Sequence, residues 1–297
     1  MVKIKIPGST SNLGPGFDSI GMAVNRYLYL DVQLSETTSI THEGDMLKDV
    51  IDNDSHYLRK YLNYFYNYFK DRGIINYQLN FKIHMSSEIP LARGLGSSAS
   101  CLIASLEIIN YFYDLKLTTQ DKLLFLTQIE GHPDNVAPSL FGGITISHYD
   151  GKKVDTVVAP GIEWPMYTFV PNFELKTSVA RNVLPSQLPY QEAVDASAIS
   201  NVLVASLFAK DYETLGRKMM SDKLHEPYRH ALLPHYESIK FAIKGLGYCF
   251  LSGAGPTIFI MLKPDKVQEA LKYIDNLQLD GTLSKIESDN IGTTVTV

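Results

Sequence analysis

Apolar and polar residues follow two different periods in the first half of the chain. They alternate along residues 2–6, 28–34 and 77–83, which is typical of half-buried β-strands. Apolar residues recur at three- and four-residue steps along 57–69 and 99–113, which is typical of helices with one buried face. The first half is therefore predicted to combine strands and helices.

The second half continues this mixture of strands and helices after a change in amino-acid composition near residues 150–165. Glycine, proline and lysine are concentrated there, and we place a domain boundary at residue 160, which divides the chain into 1–160 and 161–297. The elements predicted around and beyond this boundary are a helix at 119–130, strands at 144–147 and 167–170, helices at 190–209, 212–220 and 236–244, strands at 248–251 and 258–262, a helix at 265–277 and two short final strands. This order predicts an α+β half with a hairpin around the turn 252–257.

Composition narrows the class of protein. With 297 residues, 45% hydrophobic and 20% charged, the chain resembles ordinary globular proteins and has room for two domains. Its formal net charge of −5 argues against general nucleic-acid binding, which requires a basic surface. Two cysteines are too few for a disulfide framework or a structural zinc site. No stretch resembles a secretory signal or a membrane span, so we expect a soluble, cytoplasmic protein that binds neither nucleic acid nor membranes.

The most informative stretch is residues 90–100, PLARGLGSSAS, which lies between a predicted strand and a predicted helix. Gly94 and Gly96 allow backbone N–H groups to approach a ligand, and the start of the helix adds a partial positive charge. The hydroxyls of Ser97 and Ser98 offer further contacts to phosphate oxygens or to Mg²⁺. The stretch is therefore predicted to bind phosphate groups.

Three interpretations of this loop are open on its residues alone. One is a serine-capped helix after a glycine turn, without any ligand. Another is a dinucleotide loop, because Gly94, Gly96 and Ala99 fit G-x-G-x-x-A and Asp114 follows at a suitable distance. That loop follows its strand directly, however, whereas residues 86–93 intervene here. The third is a nucleoside-triphosphate loop other than Walker A, whose G-x-x-x-x-G-K-[ST] pattern is absent.

Two further polar stretches are candidate ligand loops. Residues 7–8, Pro-Gly, are predicted to end the first strand, and the loop at 9–18 carries glycines together with Asn12 and Asp18. Residues 132–135, His-Pro-Asp-Asn, lie between regular elements, where both site residues and simple Asx turns occur.

Residues 90–100 resemble the central motif of the GHMP kinases, P-x-x-x-G-L-G-S-S-A, at every fixed position. The resemblance implies a two-domain α+β fold, with an N-terminal ATP-binding α/β domain whose helices pack over its sheet and a C-terminal ferredoxin-like α+β domain. It also implies ATP as phosphoryl donor and Mg²⁺ as cofactor, with Ser98 and Glu130 as metal ligands. The ATP-binding residues that it implies are Pro90, Leu91, Ala92, Arg93, Gly94, Leu95, Gly96, Ser97, Ser98, Ala99 and Ser100.

Four other stretches resemble motifs of the homoserine kinases, one branch of that family. They are residues 7–18, 131–138, 177–181 and 226–229, and the turn 252–257 resembles the wider family's third motif, whose backbone folds against the phosphate loop. The resemblance implies L-homoserine as the second substrate, with binding residues Asn12, Asp18, Asn135, Thr177, Arg181 and Arg229. Asp18 suits an ammonium group, and the two arginines suit a planar, charge-assisted grip on a carboxylate.

On this resemblance, catalysis is expected to be mostly positioning, with Asn135 orienting the substrate hydroxyl. Asp134 is the candidate general base, but a loose phosphoryl-transfer transition state gains little from early proton removal, so we favour a reaction without a dedicated base. A mevalonate-type kinase, a non-catalytic small-molecule binder on the same fold and an NAD-dependent enzyme are the alternatives. The oligomeric state stays open, with a homodimer as one alternative.

Overall fold

A computed structural model describes all 297 residues and contains two β-sheets. The strands are β1 (Val2–Ser11), β2 (Ile20–Ser35), β3 (Ser39–Glu43), β4 (Asn80–Ser87), β5 (Ile144–Tyr149), β6 (Val154–Ala159), β7 (Met166–Pro171), β8 (Gly247–Leu251), β9 (Ile258–Leu262), β10 (Gly281–Ile286) and β11 (Thr294–Thr296). The helices are α1 (Tyr57–Lys70), α2 (Ser97–Phe112), α3 (Thr119–Glu130), α4 (Val136–Phe141), α5 (Thr177–Asn182), α6 (Tyr190–Phe208), α7 (Tyr212–Met219), α8 (Glu226–Arg229), α9 (Tyr236–Ala242) and α10 (Val267–Asp275). Each α-helix and strand predicted from the sequence has a counterpart, with ends that in most cases differ by a few residues.

The first sheet has seven strands and carries α1 to α4. Its order is β11-β1-β2-β4-β3, and β5 pairs with the far end of β2 and with β6. All pairs are antiparallel except β3 with β4. The apolar faces of α1 and α2 bury residues such as Phe65 and Leu102 against strand residues such as Ile4 and Ile83, which forms the main core.

The second sheet has the order β10-β7-β9-β8 and is antiparallel throughout. Helices α5 to α9 connect β7 to β8, and α10 connects β9 to β10. This is the ferredoxin-like arrangement that the resemblance to the GHMP kinases implies for the second half. The predicted hairpin around residues 252–257 is also present, as β8 and β9.

The two halves share a core and a sheet. Leu13 and Met22 from the first half pack in one apolar cluster with Leu203 and Phe250 from the second. The last strand, β11, leaves the second half and pairs with β1, so that Lys3 lies opposite Thr296. The domain boundary at residue 160 stays a prediction.

Three strand limits differ most from the prediction. β2 begins at Ile20, eight residues before the predicted start at residue 28. β1 does not end at Pro7; it continues to Ser11, with a register shift between Pro7 and Gly8 against β2. A proline is tolerated there because, at a bulge, the backbone N–H that proline lacks is not needed for strand pairing. The residues that pair with the extended part of β1 lie farther along the chain, in β2. β4 begins at Asn80 rather than Tyr77, whose side chain is exposed.

None of the helices combines the length and apolar character that a bilayer span needs.

Candidate active site

The predicted phosphate loop lies between β4 and α2, and its glycines are in conformations that other residues avoid. Gly94 has φ +78° and Gly96, the residue that caps α2, has φ +75°. A Cβ atom on Gly94 would lie 2.3 Å from the carbonyl oxygen of Ser252, and one on Gly96 would lie 2.4 Å from Oγ of Ser9. Both positions therefore require glycine for two reasons: a Cβ atom would overlap a neighbouring oxygen, and the positive φ disfavours other residues.

Contacts from both halves of the molecule hold this loop in place. The hydroxyl of Ser252 donates to the carbonyl of Gly94 at 2.7 Å, and the N–H of Thr257 donates to the carbonyl of Arg93 at 3.3 Å. The turn 252–257 thus folds against the phosphate loop, as the resemblance implies. Arg93 itself donates to the carbonyl of Pro171 at the end of β7, so its guanidinium anchors the loop to the second sheet.

The remaining predicted ATP-binding residues, in this loop and at the start of α2, differ in how deeply they are buried. The side chains of Ser97 and Ser98 are partly exposed at the start of α2, where a helix N-terminus favours an anion. Ser100 donates its hydroxyl back to the carbonyl of Gly96 at 2.9 Å. Leu95 and Ala99 are buried and anchor the loop, whereas Leu91 and Ala92 are exposed on it and Pro90 is half-buried. A direct contact of each with ATP stays a prediction.

Asp18 and Arg181 lie together although 163 residues separate them in sequence. The carboxylate of Asp18 accepts two hydrogen bonds from the Arg181 guanidinium, at 2.7 and 3.1 Å. Asp18 lies in the loop after β1 and Arg181 on α5, so the pair connects the two halves of the molecule. Both side chains are about one-third exposed, at 34% and 37%, which leaves them accessible to a small charged ligand.

Arg229 on α8 is a buried cation without an acidic partner. Its side chain donates to three neutral acceptors, namely the carbonyls of Ala180 and Gly253 and Nδ1 of His225, at 3.0 Å each. Nη2 has no hydrogen bond within the protein, and no carboxylate lies within salt-bridge distance. Burial, together with the nearby charge of Arg181, lowers the pKa of Arg229 to about 10. Such an arrangement favours an anionic ligand, because an uncompensated buried charge is costly.

Phe17 completes the surroundings of the two arginines. Its ring centroid lies 5.5 Å from the Arg181 guanidinium and 5.4 Å from that of Arg229, so both cations face one aromatic ring. The sequence analysis did not single out Phe17, although it directly precedes Asp18.

The predicted amide residues are held tightly by the protein. Asn12, with φ +74°, donates from Nδ2 to the carbonyl of Gly253 and accepts from the N–H of Asp18, each at 3.1 Å. Asn135 accepts at Oδ1 from the hydroxyl of Ser9 at 3.0 Å and donates from Nδ2 to Oγ of Ser11 at 3.1 Å.

Asn12 therefore shapes the loop that carries Asp18, and Asn135 is fixed against the end of β1. Thr177 is exposed at the start of α5 and makes no hydrogen bond. The substrate contacts predicted for all three stay predictions.

His132 and Asp134 form a hydrogen-bonded pair beside Asp18. Nδ1 of His132 bonds Oδ1 of Asp134, and the ligand atoms of these three residues lie within 4.8 Å of one another. Burial lowers the pKa of His132, but the hydrogen bond and charge of Asp134 outweigh it, so the net pKa is raised above 6.5. The hydrogen bond and charge of Asp134 thus favour the protonated form of His132 beside a buried carboxylate.

We expect Asp134→Asn to lower the pKa of His132, because the charge of Asp134 and its charge-assisted hydrogen bond disappear, while the burial penalty and the weaker effect of Asp18 stay. In the unaltered protein the raised pKa stabilises the fold most below pH 6.5, and this contribution is lost as pH rises through the folded-state pKa. In the variant the pH dependence of stability should be smaller in that range. NMR titration of the His132 ring and chemical unfolding at several pH values measure the two effects.

The same variant tests whether Asp134 acts as a base. A small change in kcat would agree with the expected absence of a dedicated base, whereas a loss of ~10³-fold or more would contradict it. His148→Gln, a distant change on β5, is the control for both measurements. An unchanged His132 pKa in Asp134→Asn would contradict the electrostatic assignment.

Ser98 and Glu130, the predicted metal ligands, are both neighbours of Tyr61. Burial raises the pKa of Tyr61, with Ser98 and Glu130 among the neighbours that modify it. The Glu130 carboxylate makes no hydrogen bond or ion pair within the protein, and burial followed by the charge of Asp134 raises its pKa. A hydroxyl and a free carboxylate are oxygen donors of the kind that Mg²⁺ prefers, so the residues present fit this ion.

The chain matches two protein-family models, "GHMP kinases N terminal domain" over residues 56–143 and "GHMP kinases C terminal" over residues 203–277. Together with the fold and the phosphate loop, they define the class of protein: it is a GHMP kinase. A mevalonate kinase structure also has this fold, with a TM-score of 0.69 and 19% identity over 97% of this chain and 99% of that one.

Relatives with higher sequence identity indicate to which branch of the GHMP kinases the chain belongs. The chain is 42% identical to a homoserine kinase from Streptococcus mutans, over 99% of both proteins. It is 41% identical to one from Staphylococcus saprophyticus, over 91% of this chain and 89% of that protein. A crystal structure of homoserine kinase from Cytophaga hutchinsonii superposes with a TM-score of 0.80 at 28% identity, covering 99% of this chain and 97% of that one. The chain belongs to the homoserine kinase family.

Proposed function

We propose that the protein transfers the γ-phosphoryl group of ATP to the side-chain hydroxyl of L-homoserine, giving O-phospho-L-homoserine for threonine biosynthesis. The observation that carries the choice of acceptor is the set of charges around Phe17: a buried Arg229 without a counterion beside the Asp18–Arg181 pair. An α-amino acid brings one anionic and one cationic group, which these side chains complement. Membership of the homoserine kinase family supports the same substrate.

The phosphate loop supports the donor half of the reaction. Backbone N–H groups at Gly94–Ser98 and the start of α2 offer a site for the anionic β- and γ-phosphates of ATP. Because the loop is fixed to Ser252 and Pro171, its N–H groups are positioned before the nucleotide arrives. Such preorganisation contributes to catalysis because the donors need no reorientation as charge moves.

We propose that Ser98 and Glu130 hold Mg²⁺ when the nucleotide is bound. The ion would supply charge compensation for the phosphate oxygens. The chain's own contribution there is a carboxylate that has no competing protein partner.

The hydroxyl acceptor is proposed to lie near His132, Asp134 and Asn135. Asn135 is immobilised by Ser9 and Ser11, so its amide keeps one orientation and is suited to direct a hydroxyl. Oδ1 of Asp134 is already engaged in a hydrogen bond with Nδ1 of His132, so it is not free to accept the proton of the substrate hydroxyl, which agrees with a reaction that has no dedicated base.

The test is ADP release from MgATP with L-homoserine, L-serine, L-threonine or mevalonate, each offered separately. We expect release with L-homoserine, and we expect it to disappear when EDTA removes Mg²⁺. Mevalonate has no ammonium group for Asp18, and the shorter amino acids place their hydroxyl at a different distance from the carboxylate.

The other outcomes distinguish the alternatives. Release with mevalonate alone would favour a mevalonate-type kinase and contradict the amino-acid site. No release with any acceptor, combined with tight ATP or homoserine binding by calorimetry, would favour a non-catalytic binder. We also propose a cytoplasmic location, and light scattering of the purified protein tests the homodimer.

A further inference from the structure

His225, the residue before α8, is completely buried and bonds both halves of the molecule. Its Nε2 lies 2.9 Å from the carbonyl oxygen of Gly14, in the loop after β1. Its Nδ1 lies 3.0 Å from Nη1 of Arg229, one helical turn further along. Neither the motifs in the sequence nor the proposed reaction gives this histidine a role.

The two partners determine which nitrogen carries the proton. A guanidinium only donates hydrogen bonds, so Nδ1 must accept from Arg229. A carbonyl only accepts, so Nε2 must carry the hydrogen that is donated to Gly14. Burial lowers the pKa of His225 and the charge of Arg229 acts in the same direction, whereas Asp222, 3.5 Å from Nε2, opposes them. His225 is therefore a neutral imidazole in one tautomer.

This imidazole determines which edge of the Arg229 guanidinium remains for a ligand. Nε donates to Ala180, and the two hydrogens of Nη1 are used by His225 and by Gly253. The two hydrogens of Nη2 have no acceptor in the protein. Since an aspartate or glutamate in place of His225 would neutralise the cation, a neutral acceptor orients Arg229 and leaves its charge available.

The same imidazole supports the loop that carries Asp18. The ring of Phe17 stacks on that of His225, with centroids 5.1 Å apart and planes 20° apart. The hydrogen bond to Gly14 fixes the loop a few residues before Phe17. His225 thus contacts Phe17 on one side of the predicted amino-acid site and Arg229 on the other. Both of its ring nitrogens are engaged by the protein, so neither is left for the substrate.

We propose that His225 is a positioning residue that orients Arg229 towards the carboxylate of the acceptor and thereby determines the preference for a carboxylate-bearing substrate. This inference rests on the proposed function. It assigns His225 an effect on the amino-acid substrate and none on ATP, because its contacts are with Gly14, Phe17 and Arg229 and not with the phosphate loop.

The experiment compares L-homoserine with 3-aminopropan-1-ol, which is the same molecule without its carboxylate, as acceptors. In the unaltered protein kcat/KM should be much larger for homoserine. In His225→Leu this ratio should fall by about tenfold or more, the scale of one hydrogen bond to a charged group. The loss should appear mainly in KM for homoserine and should be clearly smaller for 3-aminopropan-1-ol, which shares only the ammonium contact with the loop that carries Asp18, while KM for ATP should stay nearly unchanged. His230→Leu, which alters the next residue in the chain, a histidine whose side chain makes no hydrogen bond to the Arg229 guanidinium, is the matched control.

Two amide variants keep the test decisive if the leucine variant fails to fold. In His225→Asn the amide oxygen takes the position of Nδ1 and continues to accept from Arg229, so most of the substrate preference should remain. In His225→Gln the amide reaches Gly14 but provides no acceptor at the Nδ1 position, so the preference should fall as in the leucine variant.

Equal losses for both acceptors, or equal behaviour of the asparagine and glutamine variants, would overturn the inference while leaving the proposed function intact. An unaltered protein that does not phosphorylate homoserine would overturn the function itself, and with it this role of His225.

Discussion

Arg229→Leu should lower kcat/KM for L-homoserine by roughly 10²- to 10³-fold. The substitution removes the only buried cation in the site that has no internal counterion, and truncating one member of a buried charge pair costs about 2–5 kcal/mol. KM for ATP should change little, because the phosphate loop does not contact Arg229. Steady-state kinetics with each substrate varied in turn measures both effects.

Two comparisons make this result specific. Arg229→Lys retains the charge but loses the forked geometry, so it should recover only part of the loss. Arg217→Leu, on the exposed side of α7, should leave both KM values unchanged. A similar loss for 3-aminopropan-1-ol in Arg229→Leu would mean that the arginine does not bind the carboxylate.

Gly94→Ala should weaken ATP binding and lower the melting temperature together. The added Cβ would lie 2.3 Å from the carbonyl oxygen of Ser252, in a left-handed conformation that costs alanine about 1–2 kcal/mol by itself. Relieving the overlap requires the phosphate loop and the turn 252–257 to separate. We expect a loss of roughly 3 kcal/mol in stability, or about 6 °C in Tm for a protein of this size, and a KM for ATP raised by about tenfold or more.

Gly151→Ala is the matched control for this prediction. Gly151 also has a positive φ, +90°, in the turn between β5 and β6, but no atom beyond its chain neighbours lies within 4 Å of the position of its Cβ. It should lose only the conformational term of about 1 kcal/mol, without an effect on ATP. Equal effects of the two substitutions, measured by calorimetry and ATP kinetics, would contradict a role for close packing at Gly94.

The sequence indicated the elements well because each is encoded locally. The helix over 119–130, for example, begins with a capping box at Thr118 and Asp121 and ends at Gly131, all of which are readable in order. The extension of β1 beyond Pro7 could not be predicted from the local sequence. Its residues Ser9–Ser11 pair with Gly21–Ala23, and only that pairing and a bulge allow a strand to pass through a proline.

In the site, too, the sequence indicated which residue types take part but not which partners they contact. Asp18, Arg181 and Arg229 were singled out for their charge, but the sequence could not indicate that the first two bond one another while the third has only neutral acceptors. Such pairings arise from the packing of separate segments, 163 residues apart for Asp18 and Arg181 and 24 and 49 residues apart for Arg229 with Gly253 and Ala180. His225 escaped notice for the same reason, although its four-residue spacing from Arg229 was a signal that the two share a helix face.

During synthesis, β1 leaves the ribosome long before its neighbour β11 exists. Until residues 294–296 have been made, one edge of β1 remains without its partner, although that strand also supplies Ser9 and Ser11 to the site. An unpaired strand edge invites pairing with other chains. This edge of the first sheet therefore stays open to such pairing until residues 294–296 have emerged and folded back onto β1.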